Sequence, residues 1–407
     1  MEKDSAVVTH DLLKVNHEQA ANDEITSWLR LIRDRRWSRR QKHQLLKAFQ
    51  TPNNIYQASC DDYAGVITGK KQKGVFDAVQ FDENVLQQDY SWLEREGAAC
   101  ITYNSPLYPE QLRQIADPPL ALFVLGNVSL LHEPQIAIVG SRRPTPIGSK
   151  LARQLAKDLS ELGIVITSGL ALGVDGLSHM GALDKSNPTI AVMGCGLDTV
   201  YPARHRELFD RVRQHGLLVS EYPVGVKPSK YTFPERNRIV SGLSIGVLII
   251  EAAIRSGTMI TARLAVEQNR ELMVLPGSAL SSQYEGSHSL LRDGAALVAN
   301  SKDILFAIKN QLSLYDLKND NENVKEREEI EGRVLSSDES LDVTRDKVGQ
   351  GIESDSLLGF IGAEPVSVEE LIMSSGLTPA KVSSMLLMLE LEGRVAISDD
   401  GGYSNIG

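Results

Sequence analysis

The feature that most constrains the fold is a pair of strand–loop–helix junctions at residues 136–183, which read IAIVGSRRPTPIGSKLARQLAKDLSELGIVITSGLALGVDGLSHMGAL. Ile136–Val139 is a short apolar run of strand length, and Gly140 ends it. Leucines then recur at helical spacing from residue 151 to residue 162. A second apolar strand and a second helix follow. The segment therefore predicts a βαβ unit whose two strands lie parallel in one sheet.

The first loop of this unit carries two adjacent arginines, Arg142 and Arg143, and two prolines that keep it out of helix. It leads to a helix N-terminus, where free backbone N–H groups and the helix dipole favour an anion. We expect the amides of Gly140 and Ser141 and the charges of both arginines to bind a phosphate group. A glycine-rich turn at such a junction also occurs for structural reasons alone.

Short apolar runs alternate with helical segments throughout the central region, which predicts an α/β fold with a doubly wound, mostly parallel sheet covered by helices on both faces. Ligands of such sheets bind beyond the carboxyl ends of the strands, where the loops converge. The predicted strands are Ile136–Val139, Ile164–Thr167, Thr189–Met193, Leu217–Ser220, Gly246–Glu251, Glu271–Leu275 and Ala296–Ala299.

The segment KYTFPERNR at residues 230–238 is the strongest nucleic-acid signal in the chain. Lys230, Arg236 and Arg238 supply positive charge, and Phe233 supplies a flat ring on which a base can stack. Cations beside aromatic rings are typical of sequence-tolerant binding to single strands. The alternative is a purely structural role, in which Phe233 belongs to the core and Asn237 caps a helix.

Other candidate groups give weaker signals. Gly257 and Thr258 open a later helix and could each donate to an anion, although a helix N-cap explains them equally well. Asp175 and His179 stand four residues apart, and we expect Asp175 to cap its helix and to orient His179. Cys195 lies between glycines with no identified base, so we expect no nucleophile there. The sequence thus predicts no catalytic residue, no metal site and no cofactor.

Charge divides the chain into regions of different character. The 407 residues carry a net charge of −10, yet residues 134–310 hold 20 Lys and Arg against 15 Asp and Glu, whereas residues 311–356 hold 6 against 13. The acidic segment lacks apolar periodicity and predicts a disordered linker. Three scattered cysteines fit a reducing compartment, and no signal peptide or membrane span is visible, so we expect a cytoplasmic protein with no membrane contact.

The remaining segments predict two smaller domains. Residues 22–85 look helical, after a disordered stretch at 1–21, and their arginine-rich face could lie against a nucleic-acid backbone. Residues 86–133 form a connector. Residues 357–407 predict two helices and a wing hairpin, a winged helix, with acidic residues on its second helix and wing turn that disfavour double-stranded DNA and favour a protein contact.

Several long motifs, in order from Gly140 to Ser278, resemble the DNA-processing protein A family, also called Smf, of bacterial natural transformation. They are GSRRPTPIG, SGLALGVDGLSHMGAL, GCGLDTVYP, SEYPVGVKPSKYTFPERNRIVSGLS, EAAIRSGTMITARLAVEQ and LPGS. The resemblance implies an extended Rossmann-like domain, preceded by a sterile-alpha-motif-like domain and followed by a winged helix. It also implies a non-enzymatic homodimer that binds and protects incoming single-stranded DNA and helps to load the RecA recombinase.

By motif match, the family's binding residues fall on the arginine loop and on the segment around FPERNR. The matched residues are Arg142, Lys230, Phe233, Arg236, Asn237 and Arg238. One late motif departs from the family pattern, since His288 stands where asparagine is common, which puts any asparagine-specific contact there in doubt.

Two other function classes compete with this interpretation. Rossmann proteins that hydrolyse nucleotide N-glycosides carry a PGGxGTxxE signature, whose paired glycines and glutamate are missing around Gly257. A scaffold for recombination proteins without its own DNA pocket is the second alternative. It predicts that changes at Lys230 and Phe233 have no effect.

Overall fold

The computed structural model describes residues 19–59, 62–63, 66–67, 81–313, 357–362, 365–375, 377, 382–383, 385–386, 389–390, 394–397 and 402–405. The chain divides into two compact units, residues 1–314 and residues 315–407. The predicted acidic linker lies almost wholly outside the described residues, as does the predicted disordered stretch up to residue 18. Residues 19–21, also expected to be disordered, are helical.

A nine-stranded sheet forms the centre of the first unit, in the order β1-β2-β6-β5-β4-β3-β7-β8-β9. The seven strands from β3 to β9 are mutually parallel and coincide with the seven predicted apolar runs to within two residues at either end. The strands are β1 Ala98–Thr102, β2 Ala121–Gly126, β3 Gln135–Val139, β4 Val165–Ser168, β5 Thr189–Met193, β6 Leu217–Ser220, β7 Gly246–Ile249, β8 Glu271–Val274 and β9 Ala296–Leu297. The predicted doubly wound α/β class is confirmed.

The segment 86–133, expected to be a connector, adds two strands to this sheet, and that boundary is corrected. β2 pairs antiparallel with β6, and β1 pairs antiparallel with β2. Ala121–Gly126 is nearly all buried, because it continues the sheet beyond its parallel part and is covered on both faces.

Helices cover both faces of the sheet, and side chains of each strand alternate between the two cores. Ile190 and Val192 of β5 face one core, whereas Ala191 and Met193 face the other. The helices of this unit are α1 Gln19–Arg33, α2 Arg39–Phe49, α3 Pro52–Gln57, α4 Glu83–Leu93, α5 Glu110–Arg113, α6 Pro146–Glu161, α7 Val174–Leu183, α8 Arg206–His215, α9 Thr232–Leu243, α10 Gly257–Glu267, α11 Glu285–Arg292 and α12, residues 301–313.

The predicted N-terminal helical region is present, and a separate apolar cluster around Trp28, Trp37 and Leu45 holds it together. Acidic side chains of the same chain form ion pairs with several arginines of its basic face. Arg33 forms an ion pair with Asp89 at 2.5 Å, and Arg39 forms one with Glu221 at 3.0 Å. These pairs leave less free charge for a nucleic-acid backbone than the sequence suggested.

The second unit contains a helix, α13 Val368–Ser375, and a hairpin of β10 Val395–Ile397 and β11 Tyr403–Asn405. The hairpin forms where the wing of a winged helix is predicted. An apolar cluster that includes Leu371, Leu386 and Val395 fills this unit. Lys381, Glu392 and the acidic wing turn, on which the expected charge of this domain depends, lie outside the described residues.

Candidate nucleic-acid interface

A cavity opens beyond the carboxyl ends of β3, β4 and β5, at the edge of the sheet where the sequence predicts a ligand. The loops after these three strands form part of its wall, and the first turns of α9 complete it. It is lined by Arg142, Gly169, Ala171, Leu172, Met193, Gly194, Cys195, Tyr201, Pro202, Phe233 and Arg236. The cavity thus combines two arginines with two aromatic rings.

The arginine loop presents Arg142 and Arg143 as exposed side chains, and neither forms an ion pair within the described part of the chain. The loop itself is fixed at both ends. The Ser141 carbonyl accepts a hydrogen bond from the Val174 N–H at 3.1 Å. Thr145 caps α6, accepting from the Gly148 N–H at 3.0 Å, and Pro146 takes the first helical position. Two free cations therefore project from a held backbone.

A buried carboxylate, Glu251, occupies the N-terminus of α6. Its oxygens accept hydrogen bonds from the Thr145 N–H at 3.0 Å, the Thr145 hydroxyl at 2.5 Å and the Tyr284 hydroxyl at 2.8 Å. The sequence placed a phosphate at this helix end, but the chain supplies its own anion there. Attraction for an external phosphate thus depends on the arginine side chains rather than on the dipole of α6.

Phe233 lies inside a helix rather than in a loop. α9 begins at Thr232, so Pro234 falls in its first turn, where no intrahelical hydrogen bond is lost. The Phe233 ring stacks on Tyr201 with centroids 5.0 Å apart and planes inclined by 29°. The guanidinium carbon of Arg142 lies 5.9 Å from the Phe233 centroid. The structure brings the predicted cation and the predicted ring together.

Arg236 forms the floor of the cavity and is only 4% exposed. Its Nη1 donates to the Gly169 carbonyl at 2.7 Å and to the Val192 carbonyl. Burial lowers the pKa of Arg236 while the nearby Asp175 opposes this shift. Burial in turn raises the pKa of Asp175, against the charge of Arg236 and hydrogen bonds from backbone amides. Arg236 thus ties the ends of β4 and β5 together.

Arg238, two residues after Arg236 in α9, is absent from the cavity lining. Its guanidinium is buried and pairs with the Glu221 carboxylate at 2.7 Å, and its Nε lies 3.4 Å from Asp117. These carboxylates take the place of the phosphate that the sequence suggested as a partner. Asn237 lies within α9 and does not cap it.

Lys230, Gly257 and Thr258 also lie outside the cavity lining. Lys230 is exposed, and its Nζ is 5.1 Å from the centroid of the exposed Tyr231 ring. Gly257 is exposed at the first position of α10, whereas Thr258 is buried. Lys230 and Gly257 are accessible, so they can contact a ligand that extends beyond the cavity.

The polar pair Asp175 and His179 differs in detail from the expectation. Asp175 accepts from the Gly169 N–H at 3.2 Å, in the loop before α7, and does not orient His179. The His179 Nδ1 lies 2.8 Å from the Thr189 hydroxyl oxygen instead. His288, the departure in the late motif, places its Nε2 3.1 Å from the Gly277 carbonyl. Both histidines are thus held by contacts to neighbouring strands or loops.

Two residues of this site, Tyr201 and Glu251, were not predicted from the sequence. Tyr201 belongs to a quoted motif, but only the fold reveals its stack with Phe233. Glu251 is a carboxylate at the end of an apolar strand, which is the signal that could have singled it out. In the described ranges no cluster of three or more His, Cys, Asp or Glu side chains is arranged to hold a metal ion, and no helix there is long and apolar enough to cross a membrane.

The chain is similar to proteins that process DNA. Residues 99–309 match the family model described as DNA recombination-mediator protein A, and residues 349–401 match the DprA winged helix domain. It is 39% identical to Protein Smf of Escherichia coli strain K12 over 326 residues, which cover 80% of this chain and 82% of that protein.

Streptococcus pneumoniae provides a second relative and a solved structure. Its DNA processing protein DprA is 38% identical over 264 residues, which cover 64% of this chain and 92% of that protein. The X-ray structure of DNA processing protein A from the same species superposes with a TM-score of 0.62 at 34% identity, covering 69% of this chain and 96% of that one.

Proposed function

The chain belongs to the DNA recombination-mediator protein A family, also known as DNA processing protein A, and from that premise we propose that it binds single-stranded DNA during natural transformation and recombination. It acts as a cytoplasmic homodimer that protects incoming strands and helps to load the RecA recombinase onto them. It carries out no reaction of its own on the DNA.

The observation that carries this proposal is the Arg142 guanidinium beside the stacked pair of Phe233 and Tyr201. A single strand offers unpaired bases and a charged backbone, and an aromatic stack with a free cation suits both. Double-stranded DNA keeps its bases stacked internally and offers no face to the rings. The cavity therefore favours single strands.

The groups that line the cavity also support a binding role. Burial raises the pKa of the Cys195 thiol to about 11, so this cysteine stays protonated near neutral pH and is a poor nucleophile. Asp175, a buried carboxyl that interacts with Arg236, accepts hydrogen bonds from backbone amides. Such groups can shape a pocket, but they do not form an acid–base pair.

Fluorescence anisotropy with labelled oligonucleotides tests the proposal directly. We expect the wild-type protein to prefer single strands, and Phe233→Ala to weaken that binding about tenfold, because stacking on an aromatic ring is worth about 1–3 kcal/mol per base. Arg142→Ala should lower the slope of log affinity against log salt by about 0.7. Arg263→Ala removes an exposed arginine of α10 outside the cavity and is the matched control.

The partner proposals need separate measurements. The sedimentation coefficient at micromolar concentration should correspond to a dimer, and RecA-dependent ATP hydrolysis on protein-coated single strands should start sooner when the protein is added. A protein that binds single strands tightly but leaves RecA unaffected would limit its role to protection. A protein without any preference for single strands would favour the scaffold alternative.

A further inference from the structure

The turn between α1 and α2, residues 34–38, connects the helical N-terminal region to the edge of the sheet where the cavity opens. Arg39, the first residue of α2, lies beside Glu221, with its Nε 3.0 Å from Oε1 of the carboxylate. Glu221 directly follows β6, at the carboxyl end of that strand. Because β6 pairs parallel with β5, the turn lies at the same edge of the sheet as the cavity.

A second contact holds the other end of this turn. Arg33, the last residue of α1, donates from Nη2 to the Val224 carbonyl at 2.9 Å. Two residues further along the chain, the Val226 carbonyl accepts from the Gly196 N–H at 2.9 Å, and Gly196 follows Cys195, which lines the cavity. Both ends of the turn are therefore held against loops that border the cavity.

The ion pairs at this turn do not use all of its arginines. Arg36 pairs with Asp34 at 2.7 Å, and Arg39 pairs with three carboxylates. Arg35 and Arg40 are exposed, in contrast, and neither forms an ion pair with any residue that the structure describes. Their charges are therefore available to a ligand.

Two lysines extend this positive charge toward the cavity. Lys227 and Lys230 are exposed, and neither has a carboxylate partner among the described residues. They lie between the loop that Arg33 contacts at Val224 and the start of α9, whose first turns form part of the cavity wall. A polyanion that leaves the cavity past these lysines comes close to the turn between α1 and α2.

We propose that Arg35 and Arg40 form a second contact for single-stranded DNA, where they bind phosphates of nucleotides that lie outside the cavity. The inference rests on the proposed function, because it requires a strand that the cavity already holds. Arg33 and Arg39 are positioning residues that fix the turn. Contacts to phosphate carry no sequence information, so this second contact lengthens the bound strand without selecting its bases.

Fluorescence anisotropy with labelled oligothymidylates of increasing length tests the second contact. On long strands, the double variant Arg35→Ala and Arg40→Ala should lower the slope of log affinity against log salt by about 1.4, which is about 0.7 for each lost phosphate contact. The shortest strands that bind the wild type fill only the cavity, and they should bind the double variant equally well. Arg35→Lys with Arg40→Lys keeps both charges and should restore the slope.

Arg213→Ala is the matched control. Arg213 is also exposed and has no ion pair in the described part of the chain, but it lies in the last turn of α8, just before the amino end of β6. It therefore lies at the opposite edge of the sheet from the cavity, and its removal should leave the salt slope unchanged at every strand length.

Two results would overturn the proposal. One is an equal salt slope for the wild type and the double alanine variant on long strands. The other is an equal loss of affinity on short and long strands, because it would indicate a change in the cavity itself. A wild-type protein that shows no preference for single strands would contradict the proposed function instead, so the two failures are distinguishable.

Discussion

Arg142 and Arg238 have the same side chain, but one is exposed to solvent and the other is buried. Arg142 is exposed, and no carboxylate pairs with it within the described residues, so its charge is available to a ligand. Arg238 is buried between Glu221 and Asp117. Sequence motifs select both residues equally, because a motif records the residue type and not the partners that the fold brings to it.

Replacing Arg238 should therefore change stability rather than DNA binding. Arg238→Ala leaves the Glu221 carboxylate, whose side chain is 9% exposed, without this partner. Removal of one member of a buried pair costs about 3–5 kcal/mol when the other charge is left uncompensated. Because Arg39 still pairs with Glu221 at 3.0 Å, the cost here should be smaller but should still lower the melting temperature. The salt dependence of single-strand binding should stay as in the wild type. A lower salt slope with an unchanged melting temperature would instead assign Arg238 to a phosphate.

His179 should make the protein sensitive to acid. Its Nδ1 faces the Thr189 hydroxyl, which itself donates to the Ile166 carbonyl at 2.5 Å, so Nδ1 must be the protonated nitrogen. The other nitrogen is buried with no hydrogen-bond partner in the described part of the chain. Burial, assisted by the charges of His205 and Arg236, lowers the pKa of His179 to about 3.

The sign of the pH dependence follows from that shift. Between pH 6.5 and about 3, His179 is protonated in the unfolded chain but stays neutral in the folded chain. The contribution of His179 to the free energy of unfolding is therefore fully present above pH 6.5 and falls below it, by at most about 1.4 kcal/mol per pH unit. Thermal unfolding at pH 7.5, 6.5 and 5.5 measures this loss. His179→Asn keeps a donor for Thr189 and should flatten the dependence. If stability fell with pH equally in the wild type and in His179→Asn, the assignment of the acid sensitivity to His179 would be wrong.

At the scale of elements, the parallel strands were predictable because buried strands are continuous apolar runs, as in Thr189–Met193. The antiparallel pair β1 and β2 was missed, since a strand's neighbours are set by tertiary pairing and not by its own composition. α9 shows a similar limit. Pro234 resembles a helix breaker in the sequence, but a proline in the first turn of a helix removes no intrahelical hydrogen bond.

Two glycines at helix starts should respond in opposite ways to alanine. Gly173, before α7, has φ +83°, and a Cβ there would lie 2.4 Å from the Ser141 carbonyl oxygen. Gly173→Ala should cost about 1–3 kcal/mol, shift the arginine loop and weaken single-strand binding. Gly257, the first residue of α10, has open space around its Cβ position.

Gly257→Ala should accordingly leave the melting temperature unchanged or slightly higher, because alanine favours helix. Its effect on affinity then tests the predicted role of this glycine. A loss of affinity at unchanged stability would indicate that DNA approaches the backbone at Gly257. Equal stability of the Gly173→Ala variant and the wild type would contradict the clash with Ser141.

For the whole molecule, the net charge of −10 says little about the proposed DNA site. The segment 311–356, with 13 Asp and Glu against 6 Lys and Arg, carries most of the excess negative charge, whereas the cavity presents the exposed Arg142. The sequence could indicate the family, the sheet and the arginine loop. It could not indicate which motif residues share one cavity, since Tyr201, Phe233 and Arg142 come from three segments that meet only in the folded sheet.

Residues 1–314 form a compact unit that contains every residue lining the cavity. A chain ending at residue 314 should therefore bind single-stranded oligonucleotides with an affinity within about threefold of the full chain, a difference below 1 kcal/mol. Anisotropy on both proteins at equal salt measures this. A much larger loss would mean that the winged-helix unit itself contacts the strand.

The carboxylate of Glu251 fastens the arginine loop through Thr145 and fastens Tyr284 at the same point. The hydrogen bonds that Glu251 accepts from three donor groups form when the protein folds, so the loop that follows β3 is ordered before any ligand binds. The cost of ordering this loop therefore lowers the stability of the fold and does not lower the affinity for a ligand. If the chain binds single-stranded DNA as proposed, the strand meets a loop that is already ordered, and the rate of binding is set by encounter rather than by rearrangement.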